Sequence, residues 1–143
     1  MNDTIYEEAI LRLAAAAHGH GRLGPAAAGA SLDNPLCGDR ASVQIAIGGG
    51  RIAALAHEVR GCLLCRASAS VLGLRAPGAS RAEIEAAAAA LSTLLETGQP
   101  PPGAWGELAA FVPVHAHPGR HACVRLPFDA ALAALKCAGE GSA

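Results

Sequence analysis

A stretch of period-two hydrophobicity that turns back on itself constrains the fold more than any other feature of this chain. Between residues 40 and 47, Val43, Ile45 and Ile47 alternate with polar or small residues, as in a half-buried strand. Three consecutive glycines at 48–50 follow, and such residues allow the positive φ angles of a tight turn. Residues 51–59 predict a second strand, so we expect an antiparallel hairpin.

Helical patterns flank this hairpin on both sides. The capping-box spacing of Thr4 and Glu7 opens an N-terminal helix, which we expect to fade at the glycines beside His18 and His20. Capping-box residues Ser80 and Glu83 open another helix further along the chain. The remaining predictions are helices over 62–74, 80–96 and 127–138, one or two helical turns over 104–111, and extended or irregular chain over 113–119.

The order of these elements predicts the fold class. A helix, a hairpin and then further helices indicate an α+β protein, with a small antiparallel β-sheet and helices packed on one face. About three strands are expected. The third strand would come from residues 21–32 or, less favourably, from 111–114.

Composition excludes several classes of protein. A length of 143 residues fits one domain, 1–143. Aromatic residues make up 3% and the net charge is −1, which argues against a nucleic-acid partner. No apolar run could span a membrane and no secretory signal is visible, so we expect a cytoplasmic protein. Five cysteines, an odd number, make a disulfide framework an unfavourable interpretation.

Three of the cysteines occupy special places in the predicted fold. Cys37 lies in a turn just before the first strand of the hairpin, and Cys62 follows the second strand at a helix start. Both therefore fall at the same end of the sheet, where the carboxylate of Asp39 is also expected. The positive end of the helix dipole favours a thiolate at such a helix start. Cys123 precedes the last predicted helix.

Thiolates with one carboxylate suit Zn²⁺ or an iron–sulfur cluster, but buried free thiols are the alternative interpretation. Cys65 forms a C-x-x-C pair with Cys62, which indicates either a redox dithiol or, more favourably, a neighbouring buried thiol. Cys137 is interpreted as a plain helix residue.

Two further groups of polar residues have a structural interpretation. The loop histidines are expected to be solvated rather than to be metal ligands (His115, His117, His121). The serines after Cys62 are expected to be small packing residues (Ser68, Ser70).

Three motifs carry a resemblance to a known family. They read Asn34-Pro35-Leu36-Cys37-Gly38-Asp39, then Gly61-Cys62-Leu63-Leu64-Cys65-Arg66-Ala67-Ser68-Ala69-Ser70, and then Arg120-His121-Ala122-Cys123. Together they resemble the IscU/NifU/SufU family of iron–sulfur cluster assembly scaffolds, over nearly the whole chain. The long segment between the second and third motifs is similar to the SufU branch. Ala122 departs from the His or Lys that family members often carry there.

The resemblance implies a single NifU N-terminal-like domain with a SufE/NifU-like fold. It also implies that Cys37, Asp39, Cys62 and Cys123 hold a [2Fe–2S] cluster or Zn²⁺, since thiolate sites accept both metals. Cys123 would accept persulfide sulfur from a cysteine desulfurase, and apo iron–sulfur proteins would be the clients. A zinc-dependent sulfurtransferase and a structural zinc module are the alternative functions, so it stays open whether the protein is an enzyme.

Overall fold

The computed structural model describes residues 8–24, 27–35 and 38–141. These residues form four α-helices, three β-strands and two 3₁₀ helices. The α-helices are α1 (Glu8–Ala16), α2 (Leu63–Arg75), α3 (Arg81–Thr97) and α4 (His121–Gly141). The strands are β1 (Ala28–Asn34), β2 (Asp39–Gly48) and β3 (Arg51–Arg60), and the 3₁₀ helices cover Gly106–Ala116 and Pro118–Arg120.

The strands form one antiparallel sheet in the order β1-β2-β3, which confirms the predicted α+β class. The hairpin of β2 and β3 turns at Gly49 and Gly50, whose φ angles of 63° and 78° are in the left-handed region that glycine tolerates. The third strand, β1, comes from the first of the two predicted segments and extends two residues beyond it. Residues 111–114 belong to the long 3₁₀ helix instead.

Alternation along the strands leaves one face of the sheet covered and the other open. Ala41, Val43 and Ile45 of β2 are buried, whereas the residues between them are partly exposed. Helix α4 packs against β1 and β2, and α2 packs against β3, α1 and α4. The described hydrophobic residues form one core cluster on this side of the sheet. The assignment of 1–143 to a single domain stays a prediction.

The last helix begins six residues earlier than the prediction, which placed Pro127 at its start. Proline suits a first helical turn, but here it lies inside α4 and is buried. The burial of Cys123, Val124 and Leu126 in the turns before Pro127 outweighs the preference of proline for the first turn of a helix. The prediction of extended or irregular chain over 113–119 is also wrong, because 3₁₀ helices cover most of this segment.

The other helices agree with the sequence patterns. Ser80 and Glu83 form both hydrogen bonds of the capping box at the start of α3. Helix α1 ends at Ala16, just before His18, while the predicted cap at Thr4 and Glu7 lies outside the described residues. No helix in the described part of the chain is both long and apolar enough to cross a membrane.

Candidate metal centre

Asp39 is the first residue of β2, and its side chain faces the helical side of the sheet. The residue is only 4% exposed. Its Oδ2 atom is buried and has no hydrogen-bond partner among the described residues. Burying an unpaired carboxylate oxygen is costly, so this atom would be stabilised by a cation.

Gly61 gives the Asp39 side chain the room it occupies. A Cβ atom on Gly61 would lie 2.7 Å from the Asp39 Cγ and 2.9 Å from its Oδ1. Register explains this closeness, because Arg40 of β2 pairs with Arg60 of β3 and the next residues at that end are Asp39 and Gly61. The glycine is therefore required for space.

Cys62 follows Gly61 and is the N-cap residue of α2. Its side chain makes no capping hydrogen bond, and it is partly exposed. The thiol therefore lies at the end of the hairpin and at the start of α2, the position that the sequence predicts.

Cys123 lies in the first turn of α4 and is completely buried. The side-chain amide of Asn34 points its Nδ2 at the Cys123 sulfur, 4.0 Å away, the outer limit for an N–H···S hydrogen bond. Asn34 is buried at the end of β1 and pairs with Asp39 in the sheet register. Sequence reasoning quoted Asn34 within a motif but gave it no role; its place directly before the turn that leads to Asp39 was the available signal.

The three side chains converge. The carboxylate of Asp39 and the sulfurs of Cys62 and Cys123 offer ligand atoms that all lie within 4.8 Å of one another. Tetrahedral Zn²⁺ with metal–sulfur bonds of about 2.3 Å separates its ligand atoms by roughly 4 Å. Two thiols and one carboxylate, whose buried Oδ2 has no hydrogen-bond partner among the described residues, therefore fit a borderline-soft metal ion.

Cys37 lies outside the described residues, so its place in this site stays a prediction. The described residues around it form a turn: the Gly38 N–H donates to the Asn34 carbonyl at 2.8 Å, and Gly38 has a φ of 74°. This closure returns the chain from the end of β1 to Asp39.

The other two cysteines are elsewhere in the fold. Cys65 is completely buried in the hydrophobic core, in line with the favoured interpretation, and Cys137 is exposed on α4. None of the four described cysteines is in a disulfide.

The loop histidines bind the backbone. His115 Nδ1 donates to the Leu95 carbonyl at 2.8 Å, and His121 Nε2 donates to the Val114 carbonyl at 3.0 Å. These bonds hold the long 3₁₀ helix against its neighbours. Among the described residues, the histidines belong to no group of converging metal ligands.

Ser68 and Ser70 are small packing residues whose hydroxyl groups also form hydrogen bonds to other parts of the chain. The buried Ser68 hydroxyl donates to the Val124 carbonyl at 2.6 Å, which links α2 to α4. The Ser70 hydroxyl accepts from the His18 N–H at 3.0 Å. Because α2 follows Cys62 and α4 carries Cys123, the first of these bonds fixes the two thiol-bearing helices relative to each other.

His57 is a buried histidine that sequence reasoning missed. Its Nε2–H donates to the His18 carbonyl at 2.7 Å, and its Nδ1 has no partner among the described residues. Burial lowers the pKa of this imidazole below its usual range, although the bond to His18 acts in the opposite direction. The neutral ring therefore fits between β3 and the chain after α1.

Three solved structures share the fold of this chain over nearly its whole length. The chain is 33% identical to a nitrogen-fixing NifU-like protein (N-terminal) from Brucella abortus, with a TM-score of 0.88 and 98% of each chain covered. It is 27% identical to a hypothetical protein, with a TM-score of 0.83, covering 94% of this chain and 98% of that one.

A third match, to a proposed iron–sulfur cluster assembly scaffold protein for the SUF system from Fervidobacterium islandicum, has 22% identity and a TM-score of 0.83. It covers 91% of this chain and 96% of the other, and at this identity it shows the fold alone. No protein-family model and no curated protein matches the chain.

Proposed function

The chain belongs to the IscU/NifU/SufU family of NifU-like N-terminal domains, and from this membership we propose that it is an iron–sulfur cluster assembly scaffold. The observation that carries the proposal is the group formed by Asp39, Cys62 and Cys123, whose ligand atoms lie within 4.8 Å of one another. The long segment between Cys62 and Cys123, which contains α3 and the long 3₁₀ helix, favours a SufU-like member.

The cargo would be a [2Fe–2S] cluster or Zn²⁺, held by Cys37, Asp39, Cys62 and Cys123. Thiolates are the soft ligands that these metals prefer, whereas the oxygen of Asp39 is a harder and weaker partner. A scaffold has to release what it holds to apo iron–sulfur clients. One weak ligand at a buried position supports such release.

Sulfur would arrive as a persulfide on a cysteine desulfurase. In our proposal the Cys123 thiolate attacks the outer sulfur of that persulfide. The bond between the two donor sulfurs breaks, the desulfurase cysteine leaves as a thiolate, and the new sulfur–sulfur bond leaves a persulfide on Cys123. The Asn34 amide, 4.0 Å from the Cys123 sulfur, would stabilise its negative charge.

Cys62 is the competing acceptor, because it is partly exposed whereas Cys123 is completely buried. A sulfur-transfer assay with Cys123→Ser and Cys62→Ser decides between them. Loss of transfer in Cys123→Ser alone supports our assignment. Undiminished transfer in that variant moves the role to Cys62 or Cys37.

Replacing Asp39 tests the role of the weak ligand. We expect Asp39→Ala to lengthen the lifetime of a reconstituted cluster, followed by the decay of its visible absorbance. Asp33→Ala is the matched control, because Asp33 is an exposed carboxylate on β1, facing away from the site. Decay that is unchanged or faster in Asp39→Ala would rule out the labile-ligand argument.

A zinc-dependent sulfurtransferase is the second candidate function. The observation that favours it is the unequal burial of the ligands: Cys62 is partly exposed, so an incoming persulfide could displace it while Asp39 and Cys123 stay in place. Zn²⁺, when bound, would stabilise the thiolates as a Lewis acid.

Metal analysis of anaerobically purified protein separates these functions. Bound iron with visible absorbance supports the scaffold. Tightly bound zinc with stimulation of a cysteine desulfurase supports the transferase. Tightly bound zinc without stimulation would contradict both and leave a structural zinc module.

A further inference from the structure

The outer edge of β3 pairs with other parts of the chain at two positions, Ile52 and His57, and is open where it reaches the thiol site. Near its start, the Ile52 N–H donates to the Ala79 carbonyl at 2.8 Å. In its middle, the His57 N–H donates to the Gly19 carbonyl and the His57 carbonyl accepts from the Gly21 N–H, both at 2.9 Å. The covering chain leaves the strand after Gly21.

The next outward-facing position is Val59. Because main-chain groups alternate in direction along a strand, the N–H and C=O of Val59 face the same edge as those of His57. Within residues 8–24, 27–35 and 38–141, no backbone group pairs with Val59 on that side. An unpaired edge of this kind is a template for another strand.

A cavity lies on each side of this open edge. One, on the helical side, has a volume of about 320 Å³ and is lined by Ala17, His57 and Arg66 among others. The other, on the open face of the sheet, has a volume of about 370 Å³ and includes Arg40 and Arg60. Val59 and His20 line both. Successive side chains of an added strand point to opposite faces, so neighbouring residues would enter the two cavities.

The charges around the edge are mainly positive: three arginines line the cavity on the open face, against one carboxylate, Glu58, which is paired with Arg22 at 2.9 Å. Arg60 and Arg66 are exposed, one at each cavity, and neither has an acidic partner in the described part of the chain. Arg60 also lies directly opposite Arg40 in the strand register, a like-charge pairing that destabilises a sheet. Arg40 itself has a long ion pair of 3.8 Å with Asp33. This arrangement favours acidic side chains in an added strand.

We propose that the β3 edge at Val59–Gly61 binds an extended segment of a partner protein that carries two adjacent acidic residues. Main-chain hydrogen bonds to Val59 would hold the segment, and its two carboxylates would meet Arg60 and Arg66 on opposite faces. The edge leads directly to Gly61 and Cys62. We therefore assign the segment to the sulfur-donating enzyme, an assignment that rests on the proposed function.

A short peptide tests the edge without any metal or sulfur chemistry. The probe is a fluorescently labelled Thr-Val-Asp-Glu-Val-Thr, compared with the same peptide carrying Asn-Gln in place of Asp-Glu. We expect the acidic peptide to bind more tightly, to weaken as salt rises, and to shift the amide resonances of Val59 and Gly61. Equal binding of the two peptides, or shifts confined to other elements, would overturn the proposal.

Variants sharpen this test. Arg60→Gln and Arg66→Gln should each weaken binding of the acidic peptide about threefold, and the double variant roughly tenfold. Arg51→Gln, at the other end of β3, is the matched control and should leave binding unchanged. Val59→Pro removes the outward N–H and should abolish binding; if it fails to fold, the arginine variants still decide.

The assignment to the sulfur donor is tested separately. In a sulfur-transfer assay, the Arg60→Gln/Arg66→Gln variant should need a higher acceptor concentration for half-maximal rate, with an unchanged plateau. An unchanged half-maximal concentration overturns the assignment. Absence of transfer in the unmodified protein would refute the proposed function instead, while the peptide result still decides the edge.

Discussion

At the scale of single residues, Gly61 controls the position of the Asp39 carboxylate in the candidate metal centre. We predict that Gly61→Ala displaces the Asp39 side chain, because the added Cβ would lie 2.7 Å from its Cγ. Zinc affinity should fall by about 10- to 100-fold, as for other residues that orient a ligand, and unfolding should require about 1–3 kcal/mol less. Zinc titration and urea unfolding measure the two effects.

Gly106→Ala is the control for this substitution. Nothing lies within 4 Å of a Cβ built at Gly106, and its φ is not positive. Zinc affinity equal to that of the unmodified protein is expected for it. If Gly61→Ala also kept full affinity, Asp39 would not be a ligand in the arrangement described.

His57 provides a prediction about pH. Burial lowers its pKa in the folded protein, so the unfolded chain takes up the proton at a higher pH than the folded chain. The stability that depends on a neutral His57 is fully present above pH 6.5, its unfolded value. It is lost as the pH falls from there through the lowered pKa of the folded state.

Replacing the His57 imidazole removes its contribution to the pH dependence of folding stability. In His57→Gln the free energy of unfolding should fall less between pH 7 and pH 5 than in the unmodified protein, as followed by urea denaturation. His20 lies edge-on to His57, with ring centroids 6.2 Å apart, and its charge also lowers the His57 pKa, so His20→Gln should reduce the slope in the same direction but by less. The same slope in His57→Gln and the unmodified protein would contradict a buried neutral ring.

At the scale of elements, the start of α3 is the best-defined helix end. Ser80 Oγ accepts from the Glu83 N–H at 3.1 Å, and Glu83 Oε1 accepts from the Ser80 N–H at 2.8 Å. We predict that Ser80→Ala lowers the free energy of unfolding by about 1 kcal/mol, because one helix N–H loses its partner. Urea unfolding measures this, and Thr93→Ala on the exposed face of α3 should have little effect.

Helix α4 shows why element boundaries were harder to predict than element types. Proline at position 127 carries a strong local preference for a first turn, and the prediction followed it. The structure instead buries Val124 and Leu126 and places Cys123 in the turn before. The Ser68 hydroxyl, which binds the Val124 carbonyl, comes from a different helix, so a reading of local pattern could not include it.

At the scale of the whole molecule, metal binding should stabilise the fold, because the proposed ligands Asp39, Cys62 and Cys123 come from β2, the start of α2 and α4. Zinc at a free concentration 100 times its dissociation constant should add about 2.7 kcal/mol to the free energy of unfolding. Thermal unfolding with and without a chelator measures this. Cys62→Ser should lose most of the gain and Cys137→Ser, at an exposed site on α4, should keep it.

Much of this arrangement was predictable because it follows from one hairpin. Two strands joined by a tight glycine turn run antiparallel, so the start of the first strand lies beside the end of the second. Asp39 and Cys62 were therefore expected at one end of the sheet. The approach of Cys123 was expected only from the family resemblance, since it depends on how α4 packs. The contacts of Asn34 and His57 depend on tertiary geometry in the same way.

The hairpin turn also offers a site for attaching a label to the protein. Strand β2 has ten residues, so its glycine tip lies about 30 Å from Asp39. Gly49 and Gly50 are exposed, and nothing lies within 4 Å of a Cβ built at either. A fluorophore, an affinity tag or a surface tether inserted at this tip would leave the sulfur-bearing end facing outward, which suits single-molecule or biosensor measurements of the proposed sulfur transfer.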